Sequence, residues 1–160
     1  MKIIRRAALL PAFVIASVAA ACGSAKNADV PRVLETEPND TVAQANVITR
    51  NWSTIHLGGT CSSATDVDWF KVTFATYVSP APMAATLGWT GAGMLSLSLY
   101  DSFGTTLLST DASASSPNVV TMTLTTSGVF YLEVQCGGTI AATDSWTLDI
   151  PAPGANPGEE

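Results

Sequence analysis

The sequence has little charge and a single histidine. Charged residues make up 12% of the 160 positions, about half the share that is usual in soluble domains. No extended apolar pattern has a helical period, whereas Thr, Ser and Gly recur between short apolar stretches, a composition typical of strands and turns. These features favour strands and turns over a solvated helical bundle and predict one all-β domain.

The residue clusters that support catalysis or zinc binding are missing as well. His56 is the only histidine, no G-x-S-x-G elbow accompanies it, and zinc sites need several His and Cys ligands. Asp66 and Asp68 stand two apart on one predicted strand edge, a poor arrangement for the opposed carboxylates of a glycosidase. We therefore predict that the protein is not an enzyme and that His56 lies at the surface or rim of a strand.

The N-terminal apolar run is short of the roughly 20 residues that span a bilayer as a helix. This run, Ala7 to Ala21, follows a basic head and ends in small residues. Such a pattern is typical of an export signal. We predict a cleaved signal over residues 1–21 and export from the cytoplasm.

The small residues before Cys22 resemble the lipobox of bacterial lipoproteins, in which the cysteine is acylated and becomes the mature N-terminus. The resemblance implies a lipidated Cys22 and, with Gly23 next to it, a place in the bacterial outer membrane, facing the periplasm or the cell surface. Several acyl chains hold a protein firmly to a bilayer, because each buried methylene contributes about 0.8 kcal/mol. The alternative is an ordinary Ala-x-Ala cleavage site with Cys22 incidental.

Assigning Cys22 to lipid leaves Cys61 and Cys136 as an even pair in an oxidising compartment. We predict a disulfide between them, which contributes on the order of 4 kcal/mol when it closes a loop of this length without strain. Two free buried thiols are the alternative. Without the signal, four basic residues stand against thirteen acidic ones, a net charge of −9. This charge disfavours nucleic acid as a partner and favours cations.

The folded body is predicted over residues 35–150. Residues 22–34 begin with the lipidated cysteine and continue as a small, polar stretch without apolar periodicity, which is typical of a flexible tether. Residues 151–160 form a Pro/Gly-rich tail that is expected to be disordered.

Within the body, apolar and polar residues alternate as half-buried strands require. In "DWFKVTF", Phe70, Val72 and Phe74 share one face, opposite Trp69 and Lys71. Seven or eight such strands predict an antiparallel β-sandwich. The other inward rows are Leu95, Leu97 and Leu99; Val120, Met122 and Leu124; Phe130, Leu132, Val134 and Cys136; and Trp146, Leu148 and Ile150, with weaker strands at residues 54–57 and around Leu87.

Several motifs occur in a fixed order along the body. These are "ETEPNDTVAQAN", "LGGT", "DVDWFKVTF", "LSLSLYDSFGTTL" and "SGVFYLEVQ". In this order they resemble the bacterial pre-peptidase C-terminal domain over nearly the whole body. The resemblance implies a jelly-roll-like β-sandwich of the kind commonly appended to secreted peptidases.

The chain is also similar to the calcium-binding, collagen-binding modules of clostridial collagenases, which implies a calcium site here. Ca²⁺ takes about six to eight hard oxygen ligands, and carboxylates plus an amide oxygen from two segments supply them. The alternative is that Asn39 and Asp40 cap a turn while Asp68 bonds to backbone amides at a strand start. The residues that match the ligand clusters are Glu35, Glu37, Asn39 and Asp40, followed by Asp66 and Asp68.

Two functions from different classes remain open. Trp69 lies opposite Phe70, so we expect its ring to be partly exposed, and exposed aromatic rings stack on sugars or peptides. The first hypothesis is a non-catalytic, lipid-anchored module that binds an extracellular or envelope protein or glycan and is stabilised by calcium. The second is a structural or accessory domain that assists a secreted peptidase or an envelope complex without a ligand of its own. Exposed aromatic residues clustered on one face favour the first hypothesis, and buried ones favour the second.

Overall fold

The computed structural model describes residues 32–50, 54–74, 81–124, 128–141 and 144–151. The predicted export signal, Cys22, the tether up to residue 31 and the tail from residue 152 lie outside the described residues, so lipidation of Cys22 stays a prediction. Within the described part of the chain, no helix is long and apolar enough to cross a membrane.

The described residues form ten strands and one short 3-10 helix, so the prediction of an all-β protein is confirmed. The helix covers Val42–Gln44. The strands are β1 (Val33–Leu34), β2 (Asn46–Arg50), β3 (Ile55–Thr60), β4 (Val67–Phe74), β5 (Ala81–Trp89), β6 (Ser96–Tyr100), β7 (Leu107–Asp111), β8 (Asn118–Leu124), β9 (Val129–Gln135) and β10 (Ser145–Ile150).

The strands build two five-stranded sheets that pack over one core. The first sheet has the order β1-β3-β10-β5-β8 and the second the order β2-β4-β9-β6-β7. Within them, β3 pairs with β10, β4 with β9, β5 with β8 and β6 with β7. These eight strands therefore follow the path of one long hairpin folded across both sheets. This pairing is the jelly-roll arrangement, so the predicted jelly-roll-like sandwich is confirmed.

Two strands at the sheet edges differ from the prediction. The sequence predicts seven or eight strands, whereas the described residues form ten, because β1 and β2 precede the eight jelly-roll strands. Both pair in parallel, β1 with β3 and β2 with β4, so the prediction of a wholly antiparallel sandwich is wrong at these two edges. β1 also takes Val33 and Leu34 from the stretch that the sequence assigns to the tether.

The core follows from the alternation along the strands. Phe70, Leu97 and Leu132 face the interior, as predicted, and are almost fully buried. Burying an apolar side chain of this size stabilises the fold by about 1.5–3 kcal/mol. The remaining large, fully buried side chains are Trp146, Phe130, Ile55, Leu57, Leu87, Leu99, Leu148, Ile150 and Val72.

The predicted disulfide between Cys61 and Cys136 is present. Cys61 follows β3 of the first sheet and Cys136 follows β9 of the second, and their Cα atoms are 5.9 Å apart, a usual separation for this bond. The disulfide therefore ties the two sheets together at one end of the sandwich, which we call the disulfide end.

Candidate metal centre

The acidic segment, residues 35–40, crosses from one sheet to the other next to the disulfide end. The Glu35 N–H donates to the carbonyl oxygen of Gly58 in β3 over 2.9 Å. The carbonyl oxygen of Asn39 accepts from the Trp69 N–H of β4, also over 2.9 Å. These two hydrogen bonds, one to each sheet, hold the acidic segment in place between the sheets.

Glu35 reaches the interior through a gap left by a glycine. The Thr60 N–H donates to Glu35 Oε1 over 2.7 Å. A Cβ atom on Gly59 would overlap both the Glu35 carboxylate and the ring of Trp146, so only glycine leaves room for that carboxylate. Gly59 belongs to the "LGGT" motif, but sequence reasoning did not identify this role.

β4 brings two further carboxylates to the same end. The inward row of β4 contains Asp68, Phe70 and Val72, because alternate side chains of a strand share a face. Asp66 directly precedes the strand and extends this row, and all four residues are buried. Asp66 Oδ2 accepts a hydrogen bond from the Ser62 N–H over 2.5 Å. Asp68 is 0% exposed, yet as an ionised group it has no hydrogen-bond partner for either carboxylate oxygen.

The two predicted ligand clusters meet in one acidic site. One carboxylate oxygen from each of Glu35, Glu37 and Asp68 lies within 4.8 Å of the other two. Asp66 and Asp68 form a second group of this size with Cys136 Sγ. Cys136 offers no thiolate, since its sulfur is in the disulfide. The ligands available at this end are therefore oxygens.

Buried polar atoms without partners are concentrated in these residues. Within the described part of the chain, six buried side-chain nitrogen or oxygen atoms have no hydrogen-bond partner, and five of them belong to Glu35, Asn39 and Asp68. The sixth is Trp146 Nε1. Folded proteins satisfy most buried polar atoms, because each one left without a partner costs about 1–3 kcal/mol. Capping of backbone amides, the alternative interpretation, describes Asp66 but neither Asn39 nor Asp68.

Burial raises the pKa of Asp68 to about 9, and a hydrogen bond to Glu35 and repulsion by the Glu35 charge add to the shift. Burial also raises the pKa of Glu35. Without a cation, Asp68 is therefore protonated at neutral pH and donates to the Glu35 carboxylate. A divalent cation can take the place of that proton, since it neutralises both carboxylates at once.

The donor set fits calcium better than a transition metal. Zinc and copper select imidazole and thiolate ligands, whereas carboxylate and carbonyl oxygens suit calcium. Glu35 Oε2 and both oxygens of Asp68 are free to coordinate, and Asn39 Oδ1 is free in the same segment. Ca²⁺ also tolerates irregular geometry and a mixture of protein and water oxygens. The residues present therefore fit a calcium ion.

The other residues of the predicted ligand set take different places. Asp40 is exposed and belongs to neither acidic group, although the resemblance implied it as a ligand. Glu37 is exposed but reaches the site, and its Oε2 accepts from the Asn39 N–H over 3.1 Å. The structure thus brings together Glu35, Glu37 and Asp68, with Asp66 beside them.

Trp69 lies on the outer face of β4, but its ring is covered. It is only 9% exposed, because Tyr100 and Tyr131 pack against it with ring centroids 4.9 and 6.5 Å away. The expectation of a partly exposed ring is therefore wrong. A ring covered in this way offers little area for stacking on a ligand.

His56 lies beside two charged residues on the outer face of the first sheet. Its Nδ1 lies 2.8 Å from Asp149 Oδ1, and β3 and β10 place the two residues opposite each other. Arg32 Nη1 lies 3.6 Å from the same oxygen. His56 is partly buried, a position that agrees with the rim of a strand.

Comparison with known proteins identifies a fold similarity and no family. No model of a known protein family matches the chain, and no curated protein matches it. Among solved structures, the chain is similar to the pre-peptidase C-terminal domain of a collagenase from Bacillus anthracis, a crystal structure at 1.0 Å, with 9% sequence identity. The TM-score is 0.49, and the match covers 66% of this chain and 95% of that one. The strand pairing therefore defines the fold, and the buried carboxylates define the candidate metal centre.

Proposed function

We propose that the chain is a non-catalytic, lipid-anchored module of the cell envelope, in which a calcium ion fastens the acidic segment to both sheets. The proposal rests on the surroundings of Asp68. When ionised, its buried carboxylate has no hydrogen-bond partner, and one of its oxygens lies within 4.8 Å of carboxylate oxygens of Glu35 and Glu37. A divalent cation supplies the compensating charge that such a group needs away from water.

The proposed ion acts at the junction between the predicted tether and the sandwich. Glu35 directly follows β1, through which the chain joins the first sheet, whereas Asp68 belongs to β4 of the second sheet. An ion bound by both residues holds this junction to both layers. Extracellular modules bind calcium with dissociation constants of about 10⁻⁴–10⁻³ M, so the ion is acquired after export.

An accessory role, assisting a secreted peptidase or an envelope complex, is the function that these features support best. The ordered motifs resemble a domain that is commonly appended to secreted peptidases. Trp69 and Trp146 are both buried, and buried rather than exposed aromatic rings favour the accessory role over ligand stacking.

Thermal melts of the exported protein in calcium, in magnesium and in chelator test this proposal. Millimolar calcium is expected to raise the melting temperature, because a ligand that binds only the native state stabilises it. Magnesium is expected to raise it less, since Mg²⁺ is smaller and gives up its water reluctantly. Equal melting temperatures in calcium and in chelator would remove the ion from the proposal.

A second candidate function is binding of an extracellular or envelope protein or glycan. The observation that favours it is a set of exposed apolar side chains after β6, namely Phe103, which is 76% exposed, Leu107 and Leu108. A Phe103→Ser/Leu107→Ser variant should lose binding to purified peptidoglycan or to a glycan array. Val119→Ser, which alters an exposed residue on the other sheet, is the matched control. If the unmodified protein binds neither, these ligands are rejected.

The lipid anchor needs its own test, because Cys22 lies outside the described residues. Mass spectrometry of the membrane fraction should detect an acylated N-terminal peptide, and Cys22→Ser should release the protein from that fraction. Unchanged membrane retention of the variant would reject the lipid.

A further inference from the structure

The disulfide lies against the proposed calcium site. Cys136 Sγ is within 4.8 Å of carboxylate oxygens of Asp66 and Asp68. Cys61 stands between Thr60 and Ser62 in the sequence, and both cysteines are buried. The bond and the site thus occupy the same end of the sandwich and join the same two sheets.

Three backbone N–H groups that hold the acidic residues belong to a cysteine or to its neighbour. The Thr60 N–H donates to Glu35 Oε1 over 2.7 Å, and the Ser62 N–H donates to Asp66 Oδ2 over 2.5 Å. The Cys136 N–H donates to the carbonyl oxygen of Asp66 over 2.9 Å. A movement of either half of the disulfide therefore displaces the groups that orient the ligands.

From this placement we infer that the Cys61–Cys136 disulfide presets the calcium site, so that the oxidised protein binds calcium more tightly than the reduced protein does. The inference rests on the calcium site proposed above. Because coupling between two sites is reciprocal, bound calcium must make the disulfide harder to reduce by the same factor. Groups that orient metal ligands typically change metal affinity about 10–100-fold, so we expect a factor of about ten or more.

The physical cause is repulsion between the ligands. Oxygens of Glu35, Glu37 and Asp68 lie within 4.8 Å of one another, and in the ionised form that binds calcium these carboxylates repel each other until the cation arrives. In the reduced protein, this end of the sandwich is joined by non-covalent contacts, which can open to relieve the repulsion. The disulfide prevents that opening, so less free energy is spent on reassembling the ligands.

Reduction must open the same end of the molecule. A dithiol reductant breaks the Sγ–Sγ bond by thiol–disulfide exchange. Two electrons and two protons pass to the protein, which gains two thiols, and the reductant closes to its own cyclic disulfide. Both cysteines are buried, so the exchange requires local opening. Calcium opposes this opening because its proposed ligands come from both sheets.

Calcium affinity in the presence and absence of the disulfide tests the inference. Isothermal titration calorimetry compares the oxidised exported protein with its Cys61→Ala/Cys136→Ala variant. Met83→Ala is the matched control, because it removes a buried side chain from β5, two strands away from β3 in the first sheet. The double variant is expected to bind calcium about tenfold more weakly or worse, and the control is expected to bind like the unmodified protein.

A second measurement uses the unmodified protein only. The equilibrium between disulfide and thiols in a dithiothreitol series is read by thiol titration, in calcium and in chelator. Calcium is expected to shift it toward the disulfide by the factor found for the affinities. Equal calcium affinities, or a reduction equilibrium that calcium does not move, would overturn the inference and leave the calcium site standing. Failure of the oxidised protein to bind calcium would overturn both.

Discussion

The two sheets enclose two different interiors, an apolar one in the middle and an acidic one at the disulfide end. β4 contributes to both, because its inward row contains Asp68 as well as Phe70 and Val72, all of them buried. The same alternation therefore buries acids and apolar side chains alike. Alternation determines which side chains point inward. A buried carboxylate also needs a partner for its charge, whereas a buried apolar side chain does not.

The apolar interior is stable without a bound group, whereas the acidic interior requires a proton or a cation from solution. Phe70 packs edge-on against Trp146, with ring centroids 5.7 Å apart, and burial of these rings is favourable without any bound group. Asp68 needs either a proton or a cation, because its buried carboxylate has no other partner. We therefore expect the apolar interior to be insensitive to calcium and pH, and the acidic interior to respond to both.

The largest effect expected of a single substitution is in the apolar interior. Phe130 is buried in β9 and lies opposite Val72, away from the acidic residues. Phe130→Ala should lower the free energy of unfolding by about 3–5 kcal/mol, because it removes ring contacts and leaves a cavity. Denaturant unfolding in calcium and in chelator measures the loss. A loss that differs between the two conditions would show that the interiors are not independent.

Replacing Asp68, the buried acid that has no hydrogen-bond partner when ionised, should lower the melting temperature in calcium but not in chelator. Asp68→Asn keeps the shape of the side chain but removes a charged ligand, so we expect melting in calcium and in chelator to become equal. The lost stabilisation is about 2.7 kcal/mol if calcium is present at 100 times its dissociation constant. Asp40→Asn, which alters the exposed acid of the same segment, should keep the calcium response. If Asp68→Asn responds to calcium like the unmodified protein, the ion is not bound at this site.

The pH dependence of stability should depend on calcium. Without the ion, the pKa of Asp68 is about 9 in the folded protein, compared with about 3.9 in an unfolded chain. The folded state then binds the extra proton between these values, so the free energy of unfolding should fall as the pH rises from about 4 to about 9. The raised pKa of Glu35 acts in the same direction.

In saturating calcium this decline should disappear, because both carboxylates are ionised in the bound state and calcium competes with the proton. Denaturant unfolding between pH 5 and about pH 9, with calcium or chelator, measures the difference. A stability that is independent of pH in chelator would contradict the buried pair.

The smallest expected effect concerns an acid that has a partner. On the outer face, Tyr100 Oη donates to Glu133 Oε2 over 2.6 Å, and burial raises the pKa of Tyr100 to about 12, so the donor stays protonated. Tyr100→Phe should cost about 1 kcal/mol, the usual net value of one hydrogen bond. Denaturant unfolding should give the same loss in calcium and in chelator. A calcium-dependent loss would place Glu133 in contact with the acidic site.

The sequence predicts the strands that have a regular inward row, such as the one containing Leu97 and Leu99. It does not predict β7, because two adjacent apolar residues, Leu107 and Leu108, are both exposed there and the pairing with β6 shifts register between Leu99 and Tyr100. β1 is too short to show a period. β2 adds to its sheet by parallel pairing with β4, which depends on the neighbouring strand rather than on its own residues.

The acidic site is predictable where its residues are close in sequence or carried by a strand of clear parity. Glu35 and Asp68, which the resemblance places in one ligand set, lie close together, and metal binding by them stays a prediction. Asp40 is part of the same acidic segment but is exposed, since composition does not specify which side chains turn inward. The role of Gly59 depends on the approach of Glu35 to Trp146, a contact between distant segments that no local pattern encodes.

A crystal structure of the oxidised protein grown in millimolar calcium tests the central claim most directly. We expect an ion about 2.3–2.6 Å from oxygens of Glu35 and Asp68, with the acidic segment held to both sheets. Glu35 and Asp68 hydrogen-bonded to each other or to water under these conditions, with no ion between them, would contradict the account.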